Sequence, residues 1–365
     1  MSSRPRIGIL GAGQLALMLA EAARPLGIDI LCAGQPNDCA SQVATVYKVD
    51  LEDRAEVRAF AENVDVLTLE SENVDAAILE DLPKLAPNAR AVRIAQDRLY
   101  EKDFLRSQGI DTAPYAAVSS LRDLRTALEW IGAPSILKTR RLGYDGRGQV
   151  RILHPDDAAA AWAHTGGAPC ILEGMVAFDR ELSLIAARST TGEIAFYPLI
   201  HNEHREGILR VSVAPWLDAE LQSLAESHLS KLLTALQYVG VLTVEFFAAG
   251  RTLIANEMAP RVHNSGHWTI EGSETSQFAN HLRAIAGSEL GLSLGATTSR
   301  PTVMLNCIGS MPSLEETAKF PELFRHDYGK AARPGRKVGH LTCFAEHKAT
   351  IAEWERRLND SETFV

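Results

Sequence analysis

Glu245 and Glu257 stand on two adjoining apolar runs, residues 241–247 and 252–257, joined by Ala248-Ala-Gly-Arg251. Two carboxylates in such a frame suit a hard divalent cation, which takes one or two carboxylates and lets phosphate oxygens complete its shell. Gly250 supplies the positive φ of a short hairpin turn. A loop of Ala249, Gly250 and Arg251 would pair Glu245 with Ala255 and leave Glu257 diagonally across the same face, about 7–8 Å away. A cation with bridging phosphate oxygens spans that gap, so the hairpin reads as a Mg²⁺ site, with Mn²⁺ as a substitute and Asn256 as a further oxygen ligand. An acidic surface hairpin is the plain alternative, and a two-residue loop would break this register.

Cations and glycines elsewhere fit an anionic partner for that metal. Lys138 ends the apolar run Pro134-Ser-Ile-Leu-Lys138 and precedes Leu142-Gly-Tyr-Asp-Gly-Arg-Gly-Gln149. The glycines Gly143, Gly146 and Gly148 let backbone approach phosphate oxygens, and the segment is expected to act as a lid. Its spacing is not that of the Walker loop. Glu173 closes a strand-like run before Gly174, Met175 and Val176, and Glu181 opens the next, where a carboxylate could hold ribose hydroxyls. Arg261, His263, Asn264 and His267 follow the acids within seven positions, as an oxyanion pocket would require. Lys330, Arg333, Arg336 and Lys337 gather four cations in eight residues, either a solvated face or the grip for a phosphorylated substrate. Gly11-Ala-Gly-Gln-Leu-Ala16 matches a relaxed dinucleotide fingerprint, but the second strand ends Leu31-Cys-Ala-Gly-Gln-Pro36 without the ribose acid that NAD or FAD would need.

The elements that must position these residues alternate early in the chain. Strands at 6–10, 28–33 and 64–69 with helices at 14–24 and 52–62 give a parallel α/β sheet, at whose carboxyl ends Gly11, Gly13 and Glu70 lie. After a boundary near 82–97 and a helix around Ala95–Gln108, strands are expected near 135–139, 149–153, 169–174, 180–188, 194–200 and 207–213. A long helix at 218–236 leads into the acidic hairpin, and a strand at 302–308, the basic segment, a strand at 338–344 and a helix at 347–358 close the chain. With 365 residues, two or three domains are expected. The net charge of −9 argues against nucleic acid as partner. No run of 18 apolar residues suggests a membrane span. Cys32, Cys39, Cys170, Cys307 and Cys343 are scattered and odd in number, as expected of reduced thiols in a cytoplasmic protein.

Gly143-Tyr-Asp-Gly-Arg-Gly-Gln149, Asn256-Glu-Met-Ala-Pro-Arg-Val-His-Asn-Ser-Gly-His-Trp268 and Arg333-Pro-Gly-Arg-Lys-Val-Gly-His340, in that order, resemble the ATP-grasp superfamily, and within it the 5-(carboxyamino)imidazole ribonucleotide synthase family. The resemblance implies an ATP-grasp fold, α+β overall, with an N-terminal Rossmann-like domain (1–95), an ATP-grasp domain (96–296) and a small C-terminal domain (297–365). It implies an ATP-dependent carbon–nitrogen ligase that carboxylates 5-aminoimidazole ribonucleotide with bicarbonate, through carboxyphosphate, in purine biosynthesis, and a homodimer. ATP would be bound by Arg98, Lys138, the glycine loop with Gly143, Tyr144, Asp145, Gly146, Arg147, Gly148 and Gln149, then Glu173–Val176, Glu181, His204, Asn256 and Glu257. Glu245 and Glu257 would hold the metal, while Arg261, His263 and Asn264, with Lys138, would act on bicarbonate and carboxyphosphate. Gln14, Leu15, Glu70, Tyr144, Asp145, Arg147, Lys330, Arg336 and Lys337 would grip the ribonucleotide. Family members usually read Gly-Arg where Ala16-Leu17 stand, so no phosphate contact by that Arg carries over. Other readings are a formate-dependent glycinamide ribonucleotide transformylase, a nicotinamide oxidoreductase and a non-catalytic nucleotide sensor.

Overall fold

The computed structural model describes residues 4–143, 148–291 and 299–362 and contains three sheets. The first is the expected parallel layer. It comprises β1 (Arg6–Leu10), β2 (Asp29–Gly34), β3 (Thr45–Lys48) and β4 (Val66–Leu69) in the order β3-β2-β1-β4. β3 is a short edge strand with a mostly exposed pattern, which hides it from a search for apolar runs. The helix Gln14–Leu26 ends at Gly27 (φ +67°), and its Ala16, Leu19 and Ala23 share one core with Trp268, Phe278, Leu282 and Ile285. Fully burying each large apolar side chain contributes about 1.5–3 kcal/mol, so this shared core fixes the first sheet against the centre of the molecule.

The second sheet is antiparallel, β5 (Tyr115–Val118), β6 (Ser135–Thr139), β7 (Gln149–Ile152) and β8 (Cys170–Gly174), in the order β5-β8-β6-β7. The helix expected around Ala95–Gln108 is found as Arg98–Ser107, and the stretch expected to be a boundary, 82–97, holds a further helix, Ala89–Ala95. Asp97 divides them, because its carboxylate caps the later one by accepting from the Leu99 N–H at 3.0 Å.

The third sheet has nine strands: β9 (Arg180–Arg188), β10 (Ile194–Phe196), β11 (Ile200–Arg205), β12 (Ile208–Ala214), β13 (Gly240–Ala249), β14 (Thr252–Ala259), β15 (Thr302–Gly309), β16 (Phe324–Asp327) and β17 (Arg333–Phe344). The single strand expected over 194–200 is broken after Phe196, where Pro198 offers no N–H for a ladder. β12 pairs with β15, so the sheet runs unbroken into the C-terminal segment. β17 begins at Arg333, earlier than expected, so the second half of the basic cluster is strand.

The acid-bearing hairpin corrects the expected register. Ala249 pairs with Thr252, which leaves a two-residue loop of Gly250 and Arg251, and Phe246 pairs with Ala255. Regular pairing would then set Glu245 opposite Asn256 and put Glu257 opposite Val244, whose side chain is fully buried. A β-bulge intervenes instead, and Glu245 pairs directly with Glu257. Asn256 is the extra residue, and the acids face each other across the strands, where a diagonal was expected. Gly250, at φ +56°, is the only loop residue that must be left-handed. Replacing Gly250 with Val should cost about 1–2 kcal/mol in thermal unfolding through backbone strain alone, because nothing lies within 4 Å of a Cβ built there. Gly250→Asn should cost visibly less, and equal losses would contradict the turn assignment.

Candidate functional site

A cavity of about 740 Å³ opens between the three sheets. Glu245, Asn256 and Glu257 all line it, because a bulge turns two consecutive side chains toward the face that a regular strand would offer one. Glu257 Oε2 accepts from Arg98 Nη1 at 3.1 Å, and Arg98 Nη2 reaches the Gly143 carbonyl at 3.1 Å. Burial alone would raise the Glu257 carboxyl, but Arg98, and behind it Lys138 and His263, together outweigh burial and hold it at about 2. Glu245 moves the other way, since burial and then the charges of Glu257 and Glu181 push it up to about 7. A facing pair of carboxylates with one member pushed toward neutrality is a place where a cation relieves repulsion. Among the described residues no group of three or more His, Cys, Asp or Glu forms a metal cage by itself. The donor set therefore fits a cation that takes two carboxylates and completes its shell with substrate oxygens.

Cations surround the acids, several of them already aimed by an acid of their own. Lys138, on β6, donates to Glu173 Oε2 at 2.9 Å, and Lys102 lies 3.5 Å from the same oxygen. Burial would push the Glu173 carboxyl up, but the two lysines hold it down at about 2. Arg261 makes a two-point contact with Glu72, Nε to Oε2 at 2.5 Å and Nη2 to Oε1 at 3.1 Å. Glu72 was not singled out in the sequence; its place just past the carboxyl end of β4 was the available signal.

His263 is held in one tautomer. Its Nδ1 accepts from the Ser265 N–H at 3.3 Å, so the proton sits on Nε2, which faces Glu245 Oε1 at 3.4 Å. Burial, and then the charge of Arg261, lower its pKa to about 3, so it acts as a neutral donor. Asn264 lines the cavity, and both ends of its amide are buried without a partner among the described residues. An orphaned buried amide beside a neutral imidazole and an arginine fits a small oxyanion. His204 binds Glu181 through Nδ1, and that contact ranks behind burial but opposes it, with a net rise in the His204 pKa.

Of the other expected site residues, Gln14, Leu15, Glu70, Gly143, Gln149, Gly174, Met175, Val176 and Lys337 also line the cavity. Gly148, Lys330 and Arg336 do not, although Lys330 donates to Gln14, which does. Arg336 is bonded to the Ala331 carbonyl at 3.3 Å. Tyr144, Asp145, Gly146 and Arg147 lie outside the described residues. Glu70 is largely committed within the fold. Its Oε1 accepts from Gly13 N–H at 2.8 Å and its Oε2 from Ala16 N–H at 3.1 Å, so the protein's own carboxylate fills the helix N-terminus that a dinucleotide pyrophosphate would occupy.

Three family models match the chain: a ribonucleotide synthetase preATP-grasp domain over residues 5–96, an ATP-grasp domain over 103–278 and a phosphoribosylaminoimidazole carboxylase C-terminal domain over 302–354. The N5-carboxyaminoimidazole ribonucleotide synthase of Pseudomonas aeruginosa is 46% identical over 364 residues, 99% of each chain. The crystal structure of N5-carboxyaminoimidazole ribonucleotide synthetase from Thermus thermophilus matches with a TM-score of 0.89 at 45% identity, over 97% of this chain and 98% of that one. The N5-carboxyaminoimidazole synthase of Aspergillus clavatus, solved in complex with ADP and 5-aminoimidazole ribonucleotide, matches with a TM-score of 0.89 at 31% identity, over 99% and 100% of the chains.

The Glu173 cluster yields a pH prediction. A carboxyl depressed from 4.5 to about 2 contributes stability that is complete above pH 4.5 and is lost as the pH falls toward 2. Thermal unfolding midpoints of Glu173→Gln should therefore fall less steeply between pH 4.5 and 2.5 than those of the parent protein. Parallel curves would contradict the assignment.

Proposed function

The chain belongs to the N5-carboxyaminoimidazole ribonucleotide synthase family of ATP-grasp ligases, and on that premise we propose how its residues share the reaction. The enzyme carboxylates 5-aminoimidazole ribonucleotide at its exocyclic amine, using ATP and bicarbonate, and releases ADP and phosphate in purine biosynthesis. A bicarbonate oxygen attacks the γ-phosphorus and ADP departs. The carboxyphosphate then yields its carbon dioxide unit to the amine, and phosphate leaves with the shared oxygen.

Phosphoryl transfer asks the protein for alignment and charge neutralisation. Lys138, aimed by Glu173, meets the ATP phosphates from β6, and Arg98 does so from the start of its helix. Glu181, held by His204, takes the ribose, with the backbone of Glu173–Val176 beside the base. Glu245 and Glu257 hold Mg²⁺, or Mn²⁺ in its place, and Asn256 adds an oxygen; when bound, the ion neutralises phosphate charge. Arg261, fixed by Glu72, carries bicarbonate with the Nε2–H of His263 and the amide of Asn264. The orphaned Asn264 amide is the observation that most supports a small oxyanion there. Gln14, Leu15 and Lys337, with Lys330 behind Gln14, receive the ribonucleotide, and Arg336 completes the basic grip. Tyr144, Asp145 and Arg147 keep the substrate-binding role that the family resemblance implies, and Gly143 and Gly146–Gln149 the ATP-binding one.

The family resemblance also supports a homodimer, the division into units 1–95, 96–296 and 297–365, and a cytoplasmic setting, in keeping with the free Cys32, Cys39, Cys170, Cys307 and Cys343. No helix among the described residues is long and apolar enough to cross a membrane. Two related readings separate by substrate. ADP release should require 5-aminoimidazole ribonucleotide and bicarbonate, and formate with glycinamide ribonucleotide should not replace them. Glu257→Gln should fold normally and lose about 10²–10³-fold in ADP release, as expected when one electrostatic contact to a transferring phosphoryl group is removed. Release that responds to formate, or is indifferent to this substitution, would refute the reading.

A further inference from the structure

The bulge that sets the acid pair is gripped from outside the sheet by two adjacent residues of one helix. β14 is an edge strand whose outer side meets no further strand among the described residues, only an isolated bridge between Ala255 and Thr112 in which the Ala255 N–H donates to the Asp111 carbonyl at 2.7 Å. From the helix Arg98–Ser107, Lys102 Nζ donates to the Asn256 carbonyl at 2.7 Å and to the Ala255 carbonyl at 3.3 Å. Glu101 Oε1 accepts from the Met258 N–H at 2.6 Å. The two side chains thus hold the backbone on either side of Glu257. They are 1% and 2% exposed, and buried polar groups are tolerated only when hydrogen-bonded, as both of these are to the backbone of the bulge. Lys102 also lies 3.5 Å from Glu173 Oε2, the oxygen that holds Lys138. Lys102 itself does not line the cavity.

We propose that Glu101 and Lys102 are positioning residues for the metal acids. They clamp the bulge so that Glu245, Asn256 and Glu257 present their oxygens to one cation, and through Glu173 they link this clamp to the phosphate lysine. The inference rests on the reading that Glu245 and Glu257 hold the cation.

The test uses two pairs of variants of equal charge. Lys102→Gln keeps N–H donors and Lys102→Met does not; Glu101→Gln keeps an acceptor and Glu101→Met does not. Mn²⁺ binding to the full-length protein saturated with ADP is followed by electron paramagnetic resonance, and ADP binding without metal by calorimetry. Each Met variant should bind Mn²⁺ at least tenfold more weakly than its Gln counterpart, with metal-free ADP affinity within threefold. Equal Mn²⁺ affinity within the pairs overturns the proposal. So does an equal loss of ADP affinity, since general loosening of the fold weakens both. The pairs are independent, so if one Met variant does not fold the other pair decides. Glu245→Gln and Glu257→Gln separate the two layers: Mn²⁺ affinity unchanged in both sinks the metal site itself, whereas weakened affinity with equal pairs sinks only the clamp.

Discussion

One extra residue in an edge strand decides what the cavity is able to hold. With a two-residue turn at Gly250, an unbroken ladder would send Glu257 to the side of Val244 and into the core. Asn256 adds a step, returns Glu257 to the face of Glu245, and brings its own amide to the same side. The resulting carboxylate pair is repulsive on its own account. Arg98 beside Glu257 and the Nε2–H of His263 beside Glu245 offset part of that repulsion, and the rest is what a cation would relieve.

The same economy of charge shapes the remaining walls. A chain with a net charge of −9 has little general attraction for anions, so it concentrates cations locally and fixes key ones with an acid. Glu173 holds Lys138, Glu72 holds Arg261 and Glu257 holds Arg98. Donors held in place beforehand need little reorganisation when phosphate or bicarbonate arrives, which is where electrostatic catalysis draws most of its effect. Glu70 serves the opposite purpose. It accepts from the amides of Gly13 and Ala16, so at the glycine turn of the first sheet a carboxylate of the protein itself meets the helix N-terminus.

Much of this was readable in the residues themselves. Apolar alternation located β1, β6, β9 and the acidic hairpin, and strand ends located Lys138, Glu173 and Glu181, because those signals are local. Register was not local. Two- and three-residue loops at Gly250 preserve the same apolar pattern, and a bulge leaves no mark in composition, so the diagonal spacing of the acids was misjudged. Partners far apart in sequence were likewise hidden: Glu72 meets Arg261 across 189 positions, and Lys102 meets Asn256 across 154. The helix Ala89–Ala95 was missed inside the expected boundary at 82–97, although Asn88, which caps it by accepting from the Ala91 N–H, was a signal legible in principle. The lid expected at 143–149 rests mostly on Tyr144–Arg147, which lie outside the described residues.

The central claim is that Glu245 and Glu257, brought face to face by the bulge, jointly hold the cation that meets the triphosphate. Anomalous diffraction at the manganese edge, from crystals grown with Mn²⁺ and ADP, tests it most directly. Manganese peaks are expected within coordinating distance of carboxylate oxygens from both residues, with nucleotide phosphate oxygens completing the shell. Manganese bound to the nucleotide but out of reach of either carboxylate would contradict it.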